Sequence, residues 1–125
     1  MKECNLLSQF KKLLMLTMPL TETQWSPREE KIAQTAFDIA YRREVASMMA
    51  EVQRQAQGAT NPDELWKLHD FLSARRHDLD GKYDFRSSML IFVFAQLVKE
   101  HWLELGELEG LSSDKIAKVK ALAVI

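Results

Sequence analysis

Three polar side chains between positions 70 and 77 have the types that hydrolases use for catalysis. Asp70, Ser73 and His77 could supply the acid, the nucleophile and the base of a catalytic triad. Their spacing places them along one face of a helix, where side chains diverge outward. No glycine-rich turn nearby could supply an oxyanion hole. We therefore interpret these residues as part of a surface and expect no hydrolytic reaction.

Metal binding is the second chemistry to consider. The chain has three histidines, His69, His77 and His101. Their spacing fits no zinc motif of the H-E-x-x-H kind. Around Gly81 lie three aspartates, Asp78, Asp80 and Asp84. A calcium loop would place the glycine later and a glutamate at its twelfth position, where this chain has Met89. The sequence therefore predicts no metal site.

The composition limits the remaining functions. The chain has 125 residues, enough for one domain with a modest core, and 17 basic residues nearly balance 18 acidic ones. Nucleic-acid binding usually needs a basic excess, so we do not expect it. With Cys4 as its one cysteine, the chain can form no internal disulfide. Its longest apolar run, 89–95, is far shorter than the ~20 residues of a membrane span.

The first 24 residues are predicted to be a flexible extension. Lys11 and Lys12 split the apolar part, and no small-residue cleavage site follows, so this is not a signal peptide. An amphipathic membrane-surface helix is the alternative interpretation. We hypothesise that translation starts at Met15 or Met18, just before the structured part.

The elements that would carry the polar surface begin with a long helix. Ser26, Pro27 and Glu29 form a helix start, and no glycine or proline follows until Gly58. The segment predicts a helix of about 30 residues and about 45 Å. Its apolar stripe comprises Phe37, Tyr41, Val45, Met48, Val52 and Ala56. A globule of this size is only roughly 35 Å across, so we expect a second copy to cover the stripe. The alternative is a helix that breaks near Ser47 and folds back.

A second helix is predicted from a cap at Asn61 to about Asp80. Its expected core face comprises Leu65, Leu68, Leu72 and Leu79. The neighbouring face comprises Trp66, Asp70, Ser73 and His77, with His69 and Arg76 at the border. Trp66 could be an interface anchor or half-buried core, and the residues alone leave this open. For Asp70 and Arg76, the residues alone favour solvated charges.

Two further helices are predicted after Gly81. Asp84 could cap the first, which would run to about Leu105, although a strand is the competing prediction for its apolar centre. Phe92 is expected in the core. Ser112 or Ser113 would start the last helix, whose inward residues are Ile116, Val119, Leu122 and Ala123. Its lysines, expected on or near the solvated side, are Lys115, Lys118 and Lys120.

Three blocks of this sequence, residues 66–84, 91–97 and 118–122, form a recognisable pattern. Together they resemble the fluorescence recovery protein family of cyanobacteria. The similarity extends from about Trp25 to the C-terminus. Two substitutions depart mildly from the family pattern, with Phe71 in place of tyrosine and Arg75 in place of lysine.

The resemblance implies an all-α fold with a long helical stalk over 25–83 and a small helical head over 84–125, dimeric through the long helices. It implies no enzymatic activity and no cofactor. The implied partner is the photoactivated orange carotenoid protein, bound mainly at its C-terminal domain. Binding would speed its return to the resting orange state and end photoprotective quenching, so that phycobilisome fluorescence recovers. The location would be the cytoplasm, or peripheral at the thylakoid or phycobilisome surface.

The resemblance also assigns roles to individual residues. Trp66, His69, Asp70 and Arg76 match positions of the dimer interface and the adjoining partner-binding face. Phe92 and Lys118 match head positions that contact the photoreceptor. The family also has relatives in bacteria without phycobilisomes. A helical dimeric adaptor of the same family with a non-carotenoid partner is therefore the alternative function.

Overall fold

The computed structural model describes residues 24–125, so the predictions for the N-terminal extension lie outside it. The described elements are α1 (Pro27–Gly58), α2 (Pro62–Lys82), α3 (Leu90–Lys99), a 3₁₀ helix (Leu105–Leu108) and α4 (Ser113–Ala123). Within these residues the chain is helical, with one isolated bridge between Glu109 and Leu111 in place of any strand. The all-α prediction is confirmed, and the strand alternative for 89–95 is wrong. No helix of residues 24–125 is long and apolar enough to cross a bilayer.

Helix α1 begins where the sequence predicts. The Ser26 hydroxyl accepts a hydrogen bond from the Glu29 N–H at 3.1 Å, and the Glu29 carboxylate accepts one from the Ser26 N–H at 3.2 Å. This reciprocal cap pairs two backbone donors that a helix start otherwise leaves unpaired. The helix then continues for 32 residues to Gly58, so the alternative of a break near Ser47 is wrong.

Helix α2 returns after a three-residue connection and forms a hairpin with α1. The Asn61 side chain caps it by accepting from the Glu64 N–H at 3.0 Å. The helix passes through Gly81 and ends two residues beyond the predicted boundary of Asp80, at Lys82. Leu79 is the single buried residue of α2.

The predicted core face of α2 is therefore wrong for two of its leucines. Leu65 is 53% exposed and Leu72 is 43% exposed. In α1, no residue beyond Glu44 is buried. The rest of the described chain does not extend over this half of the hairpin, so an apolar face that follows helical periodicity stays open to solvent.

Helix α3 is much shorter than the predicted span of Asp84 to Leu105. Asp84 does not cap it, because its carboxylate instead accepts hydrogen bonds from the Arg86 guanidinium. At the other end His101 adopts a left-handed conformation, with φ of 68°. The Trp102 N–H then bonds to the Leu97 carbonyl at 2.9 Å, and the His101 N–H bonds to the Val98 carbonyl at 3.1 Å. This Schellman arrangement ends the helix at Lys99, well before Gly106.

The core lies between α3, α4 and the first half of α1. Its largest fully buried apolar side chains are Phe94, Leu97, Leu103, Leu108 and Val119. They pack against three alanines of α1, Ala33, Ala36 and Ala40, whose small size lets the helices approach closely. The first half of α1 thus contributes to the core of the predicted head. The division into a stalk over 25–83 and a head over 84–125 stays a prediction.

Helix α4 begins as predicted, because the Ser112 hydroxyl accepts from the Lys115 N–H at 3.3 Å. The expected solvated position of Lys115 is wrong, since the residue is 7% exposed. Its ammonium lies 3.0 Å from both carboxylate oxygens of Glu29 and donates to the Gln24 carbonyl at 2.6 Å. A buried ammonium needs such partners, so this group joins the starts of α1 and α4.

Candidate protein-interaction site

The outward face of α2 carries the four residues that the sequence marked as an interface. We name Trp66, His69, Asp70 and Arg76 the α2 stripe. Steps of three, four and seven residues place them along one side of the helix. Trp66 is 62% exposed, and the side chains of His69, Asp70 and Arg76 are 70, 80 and 84% exposed. The structure therefore brings the four together on a solvated, rigid surface.

Contacts within this face are weak. The Trp66 and His69 rings meet edge to face with centroids 6.4 Å apart. His69 Nδ1 lies 3.4 Å from an Asp70 oxygen, and Arg76 Nε lies 3.9 Å from an Asp80 oxygen. Exposed pairs at these distances contribute little to stability. The carboxylate and guanidinium thus keep most of their hydrogen-bonding capacity for a partner.

The hairpin that carries the α2 stripe also exposes large apolar side chains. Leu65 and Leu72 of α2 are exposed, and so is Met49 of α1, at 56%. Exposed large apolar side chains together with a tryptophan and an arginine are typical of a protein-binding site. The face is therefore suited to binding another protein.

The two predicted head residues lie on other elements. Phe92 of α3 is 4% exposed, which confirms the expectation that its ring is in the interior. Lys118 of α4 is half-buried, and its ammonium lies 3.1 Å from an Asp114 oxygen. Their role in partner binding stays a prediction. For Phe92 it would act through the shape of the head, because the ring is covered.

The side chains that could have performed chemistry are not brought together. Across residues 24–125, no group of three metal-ligating side chains is close enough to hold an ion. Asp70, Ser73 and His77 are all exposed on α2, and the described part of the chain shows no hydrogen bond among them. The arrangement lacks the nucleophile–base contact that a triad requires.

A buried ionic cluster at the base of the hairpin was not predicted. Glu44 of α1 is 1% exposed and accepts from Arg75 at 3.1 Å, from Lys82 at 2.7 Å and from the Tyr83 hydroxyl at 2.8 Å. Lys82 also donates to Glu100 at 2.7 Å. The sequence does contain an indication that Glu44 is buried, because Glu44 continues the helical spacing of Ala33, Ala36 and Ala40.

Two residues of the cluster, Tyr83 and Glu100, have shifted pKa values. Burial raises the pKa of the Tyr83 phenol, and the hydrogen bond to Glu44 raises it further. Burial alone would raise the pKa of Glu100 too, but hydrogen bonds from Lys82 and Gln96 outweigh it and lower the value. The tyrosine therefore stays a neutral donor, and Glu100 stays a charged acceptor.

Comparison with known families decides where this fold belongs. Residues 25–123 match the family model described as photoprotection regulator fluorescence recovery protein. The chain belongs to the fluorescence recovery protein family. The match begins at Trp25, as the sequence resemblance predicted, and the family is one of regulators rather than enzymes.

Individual relatives agree with this assignment. The chain is 54% identical over 102 residues to the fluorescence recovery protein of Synechocystis, a match that covers 82% of this chain and 94% of the relative. The solved structure of the Synechocystis protein superposes with a TM-score of 0.79 at 53% identity. That of the Fremyella diplosiphon protein gives 0.79 at 45% identity. Each superposition covers 82% of this chain and the whole of the solved chain.

Proposed function

We propose that this protein is a non-enzymatic regulator that binds the photoactivated orange carotenoid protein at its C-terminal domain. Binding accelerates the return to the resting orange state and ends quenching, so that phycobilisome fluorescence recovers. The observation that carries the proposal is the α2 stripe, an exposed tryptophan–arginine face on a rigid helix in a member of a photoprotection regulator family. The protein acts in the cytoplasm, or peripherally at the thylakoid or phycobilisome surface.

The proposed active form is a homodimer paired through α1 and α2. Support comes from the open half of the hairpin, where Met49, Leu65 and Leu72 are exposed. Helix α1 is about 48 Å long, and its buried residues end at Glu44. A second copy related by a two-fold axis would cover both open faces at once.

The mechanism follows from differential binding. The regulator must bind the activated, domain-separated photoreceptor more tightly than the compact resting form, or it would not be released. If it holds the separated domains close together, their reassociation becomes effectively intramolecular and its entropic cost falls. In this arrangement the α2 stripe contributes to the dimer interface and to the adjoining face that binds the photoreceptor. Lys118 contacts the photoreceptor from the head, and the covered ring of Phe92 acts through the shape of the head.

The recovery of the orange state in the dark tests the proposal. Sub-stoichiometric wild-type protein should accelerate the red-to-orange absorbance change of the photoactivated receptor. Trp66→Ala and Arg76→Ala should each weaken the functional complex by about 2 kcal/mol, which is roughly 30-fold in affinity. Arg28→Ala is the matched control, because this exposed arginine in the first turn of α1 lies outside the α2 stripe.

Two outcomes would contradict the proposal. Wild-type protein that leaves the dark recovery rate unchanged would exclude the carotenoid receptor as its partner and favour an adaptor with another partner. If Arg28→Ala and Arg76→Ala slowed recovery equally, the α2 stripe would not be the binding face.

A further inference from the structure

The buried ionic cluster lies where the head ends and the open half of the hairpin begins. Glu44 occupies the next helical position after Ala40, at a site where another alanine would continue the apolar packing. A carboxylate in the interior is unfavourable unless several donors compensate it. Both of its oxygens are paired, and all three donors belong to the C-terminal half of α2 or to the residue after it.

Lys82 connects this carboxylate to the head. Its ammonium lies 2.6 Å from Glu44 Oε1 and 2.7 Å from an oxygen of Glu100, the residue directly after α3. Its side chain is only 15% exposed. Glu100 in turn accepts from the Gln96 amide of α3. One ammonium therefore bridges a carboxylate of α1 and a carboxylate at the end of α3, and it does so from the last residue of α2.

Apolar packing alone holds α2 weakly in its own chain. Leu79 is its single buried residue, whereas α1 and α3 each bury several residues. Apolar contacts are also non-directional, whereas hydrogen bonds to a carboxylate fix both distance and angle. The direction in which α2 leaves the head is therefore set mainly by the groups around Lys82.

The geometry points to Lys82 as a positioning residue that fixes the angle between α2 and the head. By holding Glu44 and Glu100 together, it sets where the α2 stripe lies relative to Lys118. The structural part of this inference does not depend on the proposed function. Its functional part rests on the proposed function, because only a partner that contacts both surfaces requires their relative position to be fixed.

Distances between two spin labels test the structural part. Labels at Lys67→Cys on α2 and Lys120→Cys on α4, in a Cys4→Ser background, would report the angle. Both sites are exposed. Labelled protein is diluted into unlabelled protein so that only distances within one chain are measured. Lys82→Met, which removes the charge but keeps a long side chain, should at least double the width of the distance distribution.

Two variants serve as controls. Lys82→Arg keeps a cation that can reach both carboxylates and should restore the wild-type width. Arg43→Gln removes the neighbouring bidentate pair of α1 with Glu107, which does not involve α2, and should also leave the width unchanged. A wild-type width in Lys82→Met, or an equally broad distribution in Lys82→Arg, would overturn the inference. Circular dichroism verifies that each variant is folded.

The dark recovery assay tests the functional part. Lys82→Met should lose at least three-fold of the acceleration that the same amount of wild-type protein gives, and Lys82→Arg should retain it. Full acceleration by Lys82→Met with a broadened distribution would show that the angle is fixed but not needed for activity. If the wild type itself gives no acceleration, the proposed function fails, and the distance measurement still decides the structural part.

Discussion

At the scale of single residues, His101 carries a strained backbone. It ends α3 with φ of 68°, a conformation in which a side chain crowds the following carbonyl. Glycine is the residue that takes this position without that cost. This helix end is not recognisable from the residues alone, because a histidine followed by a tryptophan is not a stop signal.

Replacing His101 with glycine should therefore stabilise the protein. We expect His101→Gly to raise the free energy of unfolding by about 1 kcal/mol, measured by urea denaturation. His101→Ala is the control, because alanine has the same steric conflict and should give no gain. Equal stabilisation by both variants would show that loss of the imidazole, not relief of strain, is responsible.

The Tyr83 hydroxyl is a second residue with a measurable contribution. It donates to the buried Glu44 carboxylate at 2.8 Å, whereas the ring packs edge to face on Phe37 and Tyr41. Tyr83→Phe keeps the ring and removes the donor, so the free energy of unfolding should fall by about 2 kcal/mol.

Tyr41→Phe is its matched control, since Tyr41 is 45% exposed and its ring contacts the Tyr83 ring. This variant should change stability by less than about 0.5 kcal/mol. A similar loss from both variants would mean that the hydroxyl of Tyr83 has no special role.

At the scale of elements, the junction of α1 and α4 depends on one ion pair. Glu29 caps α1, accepts the Ser112 N–H at 3.0 Å and pairs with Lys115. Burial alone would raise the pKa of Glu29, but the hydrogen bonds from Ser112, Lys115 and Ser26 outweigh it and lower the pKa to about 2. The carboxylate therefore binds its proton more readily in the unfolded chain, where its pKa is close to 4.5.

This difference predicts a loss of stability in acid. The contribution of Glu29 is complete above about pH 4.5 and disappears as the pH falls towards 2. Glu29→Gln should be about 2 kcal/mol less stable than wild type at pH 7, and the gap should close between these two values. Urea denaturation at a series of pH values measures it. The free energy of unfolding of Glu30→Gln, an exposed neighbour, should change with pH as that of the wild type does. A stability difference between Glu29→Gln and the wild type that does not change with pH would contradict the assignment.

The elements differ in how far the sequence predicts them. Local capping signals at Ser26, Asn61 and Ser112 predict three helix starts, because each is formed by a few adjacent residues. The ends of α3 depend on the pairing of Asp84 with Arg86 and on an unusual backbone angle at His101, which no periodicity reveals. The predicted solvated position of Lys115 is wrong because its partner Glu29 is 86 positions away in the chain, beyond the reach of local patterns.

At the scale of the whole molecule, the open half of the hairpin predicts self-association. The double substitution of Leu65 and Leu72 by serine should raise the dimer dissociation constant at least about 100-fold, since each buried leucine contributes about 1.5–3 kcal/mol. Analytical ultracentrifugation over a dilution series measures it. The monomer should keep its fold because neither leucine is buried within it.

Val124→Ser provides the matched comparison. This residue is 82% exposed and follows α4 at the other end of the chain. Its substitution should leave association unchanged. If the double leucine variant associated as tightly as Val124→Ser, the two chains would not pair through the hairpin.

The candidate site was predictable in position but not in role. Helical periodicity placed Asp70 beside the expected core face and Arg76 at its border, and it left Trp66 open between an interface anchor and half-buried core. The structure exposes all three side chains. The residues alone favoured solvated charges at Asp70 and Arg76, and only the family resemblance suggested an interface. Within one chain a free surface and an uncovered interface look alike, because the difference depends on a second molecule.

The exposure of Trp66 has a practical consequence. Among the three tryptophans, Trp25 and Trp102 are half-buried against the core, and Trp66 alone is open to solvent in a single chain. Its indole emission should therefore be red-shifted and accessible to acrylamide when the chain is alone, and blue-shifted and shielded once a partner covers it. The molecule thus contains its own optical probe of occupancy, without a dye or an added label.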